Sequence, residues 1–301
     1  MRRVGAVHPV RPARPARPVR LVRRVAAVCA LGAALASLAA CGAPEAARTV
    51  SRGAPPVSSA PAVSRPPTLA PGPGGLTPVF HHGARRDDDK TVALTFDADM
   101  TADQGPRAAA GERFDHPRLI ATLRTLKVPA TVFMTGRWAE EYPAQARSIG
   151  RDPLFEVANH SYSHYAFTED CYGLPTVAED RMRADVERAY AAFRAAGVPD
   201  AKPYFRFPGG CYDRRALRVL SGTGVTAVQW DVVSGDAFAT DADAVARQVL
   251  DGVRPGSVVV MHCTRSAAPT TEAAIRTIVP ELRRQGYRFV KVSQLIGSAP
   301  R

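Results

Sequence analysis

The chain has 301 residues and a formal net charge of +12, and both composition and charge are uneven along it. The first 79 residues contain no aromatic residue, one acidic residue and 13 of the 26 prolines. Such a segment buries too little apolar surface to offset its ordering entropy, which leaves one large domain over residues 80–301. Residues 1–40 carry eight Arg and no acid, and residues 41–80 carry three Arg and Glu45, so the remainder has a charge of +2. Because the basic excess lies in the tail, we expect no nucleic-acid partner.

Residues 1–40 have the organisation of an export signal. Basic residues lie within positions 1–24, an uncharged Ala-rich segment covers 25–40, and small residues precede Cys41. The apolar segment is shorter than the roughly 20 residues of a membrane-spanning helix. A secretory signal peptide over residues 1–40 is therefore predicted, with twin-arginine export as an alternative because of the Arg pairs at 2–3 and 23–24.

The end of this signal, Leu38-Ala39-Ala40-Cys41, resembles a bacterial lipobox, which implies a lipid on Cys41 as the mature N-terminus. A free thiol beside a cleavage site is the alternative. Lipid on Cys41 would anchor the protein to the outer face of the cell membrane without spanning it. The Pro/Ala/Ser-rich residues 41–79 then predict a disordered, semi-extended tether, and the protein is expected to be extracytoplasmic and monomeric.

From residue 90 onward, short apolar runs alternate with amphipathic segments, a pattern typical of strand–helix units. Strands are predicted at 91–96, 130–136, 155–160, 204–207, 226–233, 257–262 and 289–292. Helices are predicted between them at 116–127, 138–150, 177–197, 214–224, 241–253 and 271–286. The long segment 100–114 either covers a cleft or is an insertion.

About seven such units predict an α/β fold with parallel strands, either a barrel or a doubly wound sheet. Acidic residues or histidines stand at several strand ends: Asp97 and Asp99 after the first, His160 and His164 after the third, and His262 at the end of the sixth. In a barrel all these ends meet at one face. A doubly wound sheet would instead favour a Gly-rich phosphate loop, which this sequence lacks. We therefore expect a distorted (β/α) barrel with the active site at the carboxyl ends of its strands.

The segment His160-Ser-Tyr-Ser-His164 is the strongest local signal of a metal site. Two imidazoles four residues apart can bind one ion from one side of a helix or turn. Asp97 and Asp99 follow an apolar strand, where carboxylates are costly to bury without a cation or hydrogen-bond partners. Taken separately, polar loop histidines and a helix-capping Asp would explain these residues. Together, two His and one carboxylate suit Zn²⁺.

Five segments stand in the order of one family's motifs. They are TFDAD at 95–99, similar to Thr-Phe-Asp-Asp; HSYSH at 160–164, which matches His-Ser/Thr-x-x-His; RFPGG at 206–210, which matches Arg-x-Pro-x-Gly; WDVVSGD at 230–236; and VMH at 260–262, similar to Leu-x-His. Over residues 90–297 the chain thus resembles the polysaccharide deacetylase family, carbohydrate esterase family 4. The resemblance implies that Asp99, His160 and His164 bind Zn²⁺ or another divalent metal.

The resemblance also implies the catalytic roles. Asp97 would be the general base, positioned by Arg206, and His262 would be the general acid, oriented by Asp236. The backbone N–H of Gly209 would donate to the oxyanion of the tetrahedral intermediate. Since an amine leaves readily only when protonated, His262 must be an imidazolium, and a carboxylate at Asp236 would raise its pKa.

The chain departs from the family's motifs in three places. Ala98 separates two acids that are usually adjacent, so Asp99 must reach the metal from one position later. Gly209 replaces a bulkier residue, which opens the pocket. Val233 and Ala237 stand where an acid and a Trp are common, so the wall that would contact a sugar ring is reduced.

The cysteines are consistent with an oxidising compartment. Cys29 would leave with the signal peptide, and Cys171, Cys211 and Cys263 remain in the domain. The loops that carry Cys171 and Cys211 would both border the metal, so we predict a Cys171–Cys211 disulfide. Cys263 is predicted to be a buried thiol.

These observations predict a metal-dependent hydrolase that acts on carbon–nitrogen bonds other than peptide bonds. It would remove acetyl groups from an N-acetylated cell-surface glycan, with peptidoglycan as the first expectation. Chitin, poly-N-acetylglucosamine and acetylated xylan are alternative substrates, and cyclic amides are a second class. The non-enzymatic alternative is an inactive wall-binding lipoprotein with the same fold.

Overall fold

The computed structural model describes residues 65–298; the predicted signal peptide and Cys41 lie outside this range. Within it, nine strands form one sheet in which every pairing is parallel. The strands are β1 Val79–Phe80, β2 Thr91–Ala98, β3 Ala130–Met134, β4 Phe155–Asn159, β5 Ala201–Phe205, β6 Thr226–Val228, β7 Val232–Val233, β8 Ser257–His262 and β9 Arg288–Phe289. The helices are α1 Gly105–Ala109, α2 Pro117–Thr125, α3 Gly136–Glu141, α4 Pro143–Gly150, α5 Glu179–Ala196, α6 Arg214–Leu220, α7 Ala242–Gly252, α8 Thr271–Arg284 and α9 Val292–Gly297.

The sheet has the order β1-β6-β5-β4-β3-β2-β8-β7, with β9 pairing to the first residues of β2. Strand β2 lies near the middle and all eight of its residues are buried, as expected for an apolar run enriched in β-branched and aromatic residues. The sheet curls into a distorted (β/α) barrel, with helices connecting parallel strands. The fold predicted from the alternating pattern is therefore confirmed.

Alternate residues of β2 face the two sides of the sheet. Val92, Leu94 and Phe96 belong to the large core between the sheet and its helices. Ala93 belongs to a second cluster that fills the inside of the barrel with residues of other strands, among them Phe133. Because every second side chain of a strand faces the same side of the sheet, Thr95 and Asp97 face the same side as Ala93. This alternation directs the polar end of β2 into the mouth of the barrel.

Three predicted elements differ from the observed ones in number or type, and others differ at their ends, such as the predicted strand 204–207, which is β5 Ala201–Phe205. The predicted strand 226–233 is two short strands, β6 and β7, separated by residues 229–231. The predicted helix 138–150 is divided into α3 and α4, because Pro143 starts a new helix at its first position. The predicted strand 289–292 ends at Phe289, and α9 begins at Val292. For the two predicted strands, the short apolar run alone does not determine where strand pairing ends.

Contacts with the barrel begin upstream of residue 80, within the segment predicted as a tether. The backbone N–H of Leu69 donates to Thr226 Oγ1 over 3.0 Å, and the hydroxyl of Tyr204 donates to the carbonyl of Pro67 over 2.8 Å. Thr77 is buried, and its N–H donates to the carbonyl of Leu217 over 3.2 Å. Residues 65–79 thus cover the β5–β6 side of the barrel. No helix of residues 65–298 is long and apolar enough to cross a membrane.

Replacing Leu94 by Ala tests the central position of β2. Leu94 is fully buried and pairs with Ala130 of β3 and Val259 of β8. We expect the substitution to lower the free energy of unfolding by about 2–5 kcal/mol, since it leaves a cavity in a packed core. Urea denaturation measures this. Val233→Ala, at a valine that is 51% exposed, is the control and should change stability by less than about 1 kcal/mol. Equal effects of the two substitutions would contradict the assigned packing.

Candidate active site

The mouth of the barrel contains a buried ion pair between strand ends. Arg206 follows β5, and its side chain is fully buried. Its Nη1 donates to Asp97 Oδ1 over 2.7 Å and to Thr95 Oγ1 over 2.9 Å. The guanidinium also lies over the ring of Phe133, 3.9 Å from its centroid. Arg206 therefore binds Oδ1 of Asp97. The other carboxylate oxygen, Oδ2, faces the neighbouring histidines.

The segment from His160 to His164 forms a tight turn after β4. Ser161 and His164 have φ angles of 69° and 58°, in the left-handed region that few residues other than glycine adopt. Two hydrogen bonds support this turn: Asn159 Oδ1 accepts from the N–H of Ser161 over 2.8 Å, and Ser161 Oγ accepts from the N–H of His164 over 2.9 Å. His160 Nδ1 donates to the carbonyl of Arg206 over 2.9 Å. This bond leaves His160 Nε2 to accept or bind an ion.

Asp185 of α5 supports the same turn from outside. Its carboxylate accepts three hydrogen bonds of 3.0–3.2 Å, from the N–H groups of Tyr162 and Ser163 and from Ser163 Oγ. Burial raises the pKa of Asp185, and these bonds act in the opposite direction. Sequence reasoning did not identify Asp185, because an acid on an amphipathic helix normally faces solvent. Asn159, at the end of β4, was likewise not singled out.

Asp99 lies between the imidazoles of this turn, one residue beyond β2. Its Oδ1 is 3.3 Å from His160 Nε2 and 3.6 Å from His164 Nε2. One ligand atom from each of these three residues lies within 4.8 Å of the others, as metal ligands would. Asp99 Oδ1 is buried and has no hydrogen-bond partner among residues 65–298. An orphaned carboxylate oxygen facing two imidazoles fits a cation, and Ala98 does not prevent Asp99 from reaching it.

The pKa shifts of the three residues agree with this arrangement. Burial alone would raise the pKa of Asp99, but the charges of the neighbouring histidines outweigh it and hold that pKa well below its usual range. Burial lowers the pKa of His164 to about 4, which keeps its imidazole neutral at pH 7. Burial would also lower the pKa of His160, but the negative charges of Asp97 and Asp99 raise it. The site therefore already favours positive charge between the two aspartates.

His262, the last residue of β8, faces the opposite side of Asp99. Its Nδ1 donates to Asp236 Oδ1 over 2.7 Å, and its Nε2 is 3.9 Å from Asp99 Oδ2. Asp236 is buried and also accepts hydrogen bonds from the hydroxyls of Ser234 and Thr271. Burial would lower the pKa of His262, but the hydrogen bond and charge of Asp236, with smaller contributions from Asp99 and Asp97, raise it to about 10. His262 is therefore an imidazolium at neutral pH.

The Gly209–Gly210 turn follows Arg206 by three residues. Both glycines have left-handed backbones, with φ angles of 63° and 74°. A Cβ atom at Gly209 would lie 2.5 Å from Cys171 Sγ, and one at Gly210 would overlap the indole ring of Trp230. Only glycine fits both positions. The expectation that Gly209 opens the pocket is therefore wrong, because Cys171 occupies the space that a side chain at position 209 would fill.

The structure brings together the eight residues predicted from the sequence. Asp99, His160 and His164 form one cluster. Asp97, held by Arg206, lies next to His160 of this cluster, and His262, held by Asp236, lies next to Asp99. Gly209 stands in the turn after Arg206. Their catalytic and metal-binding roles stay predictions, and only their positions are observed.

Asp231 of the fourth motif has a structural role. Its carboxylate accepts from the N–H of Val258, from Ser257 Oγ and from Arg85, at 2.6–2.8 Å. These contacts lie at the first residues of β8, whereas His262 is the last residue of that strand. Asp231 therefore ties the β6–β7 connection to β8 and does not face the cluster.

The predicted disulfide is confirmed. Cys171 and Cys211 are bonded, with their Cα atoms 5.9 Å apart. In the described part of the chain Cys263 is a buried free thiol, as predicted, and burial raises its pKa to about 12. It therefore lacks the thiolate character that a reactive cysteine needs.

The model of the family described as polysaccharide deacetylase matches residues 84–228. Residues 84–228 therefore belong to the polysaccharide deacetylase family. This match covers the strand ends that carry Asp97, Asp99, His160, His164 and Arg206.

Two relatives of known name are 27–29% identical to this chain over about 200 aligned residues. The chitooligosaccharide deacetylase of Azorhizobium caulinodans is 27% identical over 199 residues, which cover 62% of this chain and 89% of that protein. A peptidoglycan-N-acetylglucosamine deacetylase of Bacillus cereus is 29% identical over 206 residues, which cover 68% of this chain and 67% of that protein.

The fold also matches a solved structure. The crystal structure of the Bc1960 peptidoglycan N-acetylglucosamine deacetylase superimposes with a TM-score of 0.62 and 24% identity, covering 74% of this chain and 94% of the other. At this level of identity the likeness concerns the fold alone.

The cluster is expected to bind one divalent ion per chain, and the test is direct titration of the apo protein with Zn²⁺. His164→Ala removes one of the predicted ligands. Loss of a residue that only hydrogen-bonds to a ligand weakens metal binding roughly 10- to 100-fold, and we expect a larger loss of Zn²⁺ affinity here. His81→Ala, which removes an exposed histidine, is the matched control. If both variants bind Zn²⁺ like the unmodified protein, the ion is held elsewhere.

Proposed function

We propose that this protein hydrolyses the acetamido groups of an N-acetylated cell-surface glycan, with peptidoglycan as the substrate. The observation that supports the proposal is that a carboxylate held by Arg206, Asp97, and a protonated imidazole, His262, both border the Asp99–His160–His164 cluster. The names of the relatives, which include deacetylases of chitooligosaccharides and of peptidoglycan, support the same reaction.

Asp99, His160 and His164 would hold the metal. The donor set of two imidazoles and one carboxylate favours Zn²⁺. A divalent ion bound there would lower the pKa of a water molecule and polarise the acetyl carbonyl.

Asp97 would act as the general base. Arg206 donates to its Oδ1, so Oδ2 is free to take the proton of the attacking water. Arg206 is fully buried and is held by its own packing, so its hydrogen bond fixes the orientation of the Asp97 carboxylate. Arg206 thus positions the base and does not need to touch the substrate.

His262 would act as the general acid. Because its Nδ1 is bonded to Asp236, the proton on Nε2 is directed towards the cluster. The tetrahedral intermediate collapses when this proton passes to the amine nitrogen, which then leaves as a neutral amine. The Gly209 N–H, in the turn after Arg206, would stabilise the oxyanion in that intermediate.

The predicted export signal and lipid on Cys41 support peptidoglycan as the substrate, since both would place the domain outside the membrane. Chitin, poly-N-acetylglucosamine and acetylated xylan carry the same reacting group. A panel of these polymers therefore decides the substrate, with acetate release as the measurement.

Asp97→Asn tests the reaction itself. The amide cannot accept the proton of water, so we expect kcat for acetate release from peptidoglycan to fall by roughly 10²–10⁴-fold. Zn²⁺ binding should persist, because Asp97 is outside the metal cluster. Asp103→Asn, at an exposed acid of the same connection, is the control.

Unchanged acetate release by Asp97→Asn would refute the role of Asp97 as the base. Bound zinc without turnover on any substrate of the panel would favour the inactive wall-binding protein.

Asp236→Asn tests the acid through the pH profile. Asparagine keeps an oxygen near His262 Nδ1 but removes the charge that raises its pKa. Because the protonated form is active, activity is lost as pH rises through this pKa. We expect the alkaline limb of kcat/KM to move to lower pH by about 1–3 pH units. Thr271→Val, which removes one hydrogen bond from Asp236 and keeps the charge, should move it less. An alkaline limb unchanged in Asp236→Asn would contradict the assignment.

A further inference from the structure

Tyr172 is the most exposed large apolar side chain of residues 65–298. It is 88% exposed, whereas aromatic side chains of this size are usually at least partly covered. Its backbone is left-handed, with a φ of 51°, followed by Gly173 with a φ of 73°. The segment closes as a turn in which the N–H of Leu174 donates to the carbonyl of Cys171 over 2.9 Å. The fold thus presents this phenol ring outwards at a defined place.

That place is beside Gly209, the predicted oxyanion donor. A Cβ atom at Gly209 would lie 3.4 Å from Tyr172 Cδ2 and 3.3 Å from Leu174 Cδ1. The Tyr172 ring is therefore in van der Waals range of the position that a side chain at 209 would occupy. The ring thus lies next to the backbone of Gly209, the position that the motif resemblance assigns to the oxyanion.

The disulfide fixes the ring to the turn. Cys171 directly precedes Tyr172, and Cys211 comes two residues after Gly209. Cys171 Sγ also lies 3.6 Å from the carbonyl oxygen of Pro208. The covalent link therefore limits the distance that Tyr172 can move from Gly209.

The other side of the turn carries a second aromatic ring. Trp230 is half-buried, and its indole lies where a side chain at Gly210 would be. Its ring also lies 5.4 Å from the Arg206 guanidinium. The Gly209–Gly210 turn thus runs between an exposed ring, Tyr172, and a partly covered one, Trp230. Of the two, only Tyr172 offers a largely free face to a ligand.

We propose that Tyr172 is a specificity-determining residue that stacks on the sugar ring next to the one being deacetylated. The inference rests on the proposed function. A pyranose ring has a face of C–H groups that packs well on an aromatic ring, and tyrosine provides a large, rigid contact area at low entropic cost. The phenol hydroxyl adds a donor for sugar hydroxyls. Tyr172 then distinguishes a glycan chain from a single acetylated sugar.

The test uses Tyr172→Ala and Tyr172→Phe in the full-length, disulfide-bonded protein. Glu169→Ala, at an 86%-exposed acid of the same loop, is the matched control. The substrates are the tetramer of N-acetylglucosamine and the monomer. For Tyr172→Ala we expect KM for the tetramer to rise about tenfold, comparable to the loss of one stacked ring, with kcat for the monomer unchanged. Tyr172→Phe should retain most of the affinity, and Glu169→Ala should behave like the unmodified protein.

Binding of the tetramer to the Asp97→Asn background, measured by calorimetry, separates this inference from the proposed function. If the unmodified protein releases no acetate but Tyr172→Ala still weakens tetramer binding, the reaction is wrong and the stacking role stands. If acetate is released and Tyr172→Ala leaves KM and tetramer binding unchanged, the stacking role is wrong and the reaction stands. Equal loss of activity towards monomer and tetramer would also overturn the proposal, since it would indicate a structural role for the loop.

Discussion

The buried pair of Arg206 and Asp97 is the interaction on which the mouth of the barrel depends. It joins the ends of β2 and β5, which are not neighbours in the sheet, and the carbonyl of the same Arg206 accepts from His160. One residue thus sets the direction of the carboxylate and of an imidazole. Removing either member of such a pair leaves an uncompensated buried charge, which typically costs about 3–5 kcal/mol. The pair is therefore a constraint on folding as well as on chemistry.

The sequence was sufficient to predict the fold class and the residues at the strand ends, because both follow from the periodicity of apolar residues. Strands β2 and β8 are continuous apolar runs, and Asp97, Asp99 and His262 stand where such runs end. Parallel strands must bring these ends to one face, whatever the lengths of the helices between them. The resemblance of five motifs then assigned roles that spacing alone could not.

The features that could not be predicted from the sequence depend on contacts between segments that are distant in the chain. Asp185 supports the His160–His164 turn from α5, and nothing in its local pattern distinguishes it from a solvated acid. The break between β6 and β7 follows from the contacts of Asp231 with Ser257 and Val258, about 26 residues away. The exposure of Tyr172 follows from the left-handed turn and the disulfide. Periodicity contains no information on such pairs.

The contacts of Pro67 and Leu69 have a practical consequence. A shortened chain that started at residue 80 would leave the hydroxyl of Tyr204 and Thr226 Oγ1 without these partners, and would uncover Leu217 at the site where Thr77 packs. Both residues are buried. Tyr204 belongs to β5, the strand that precedes Arg206, and Thr226 belongs to the neighbouring strand β6. The last part of the proline-rich segment therefore covers one flank of the barrel and should be retained in any shorter version.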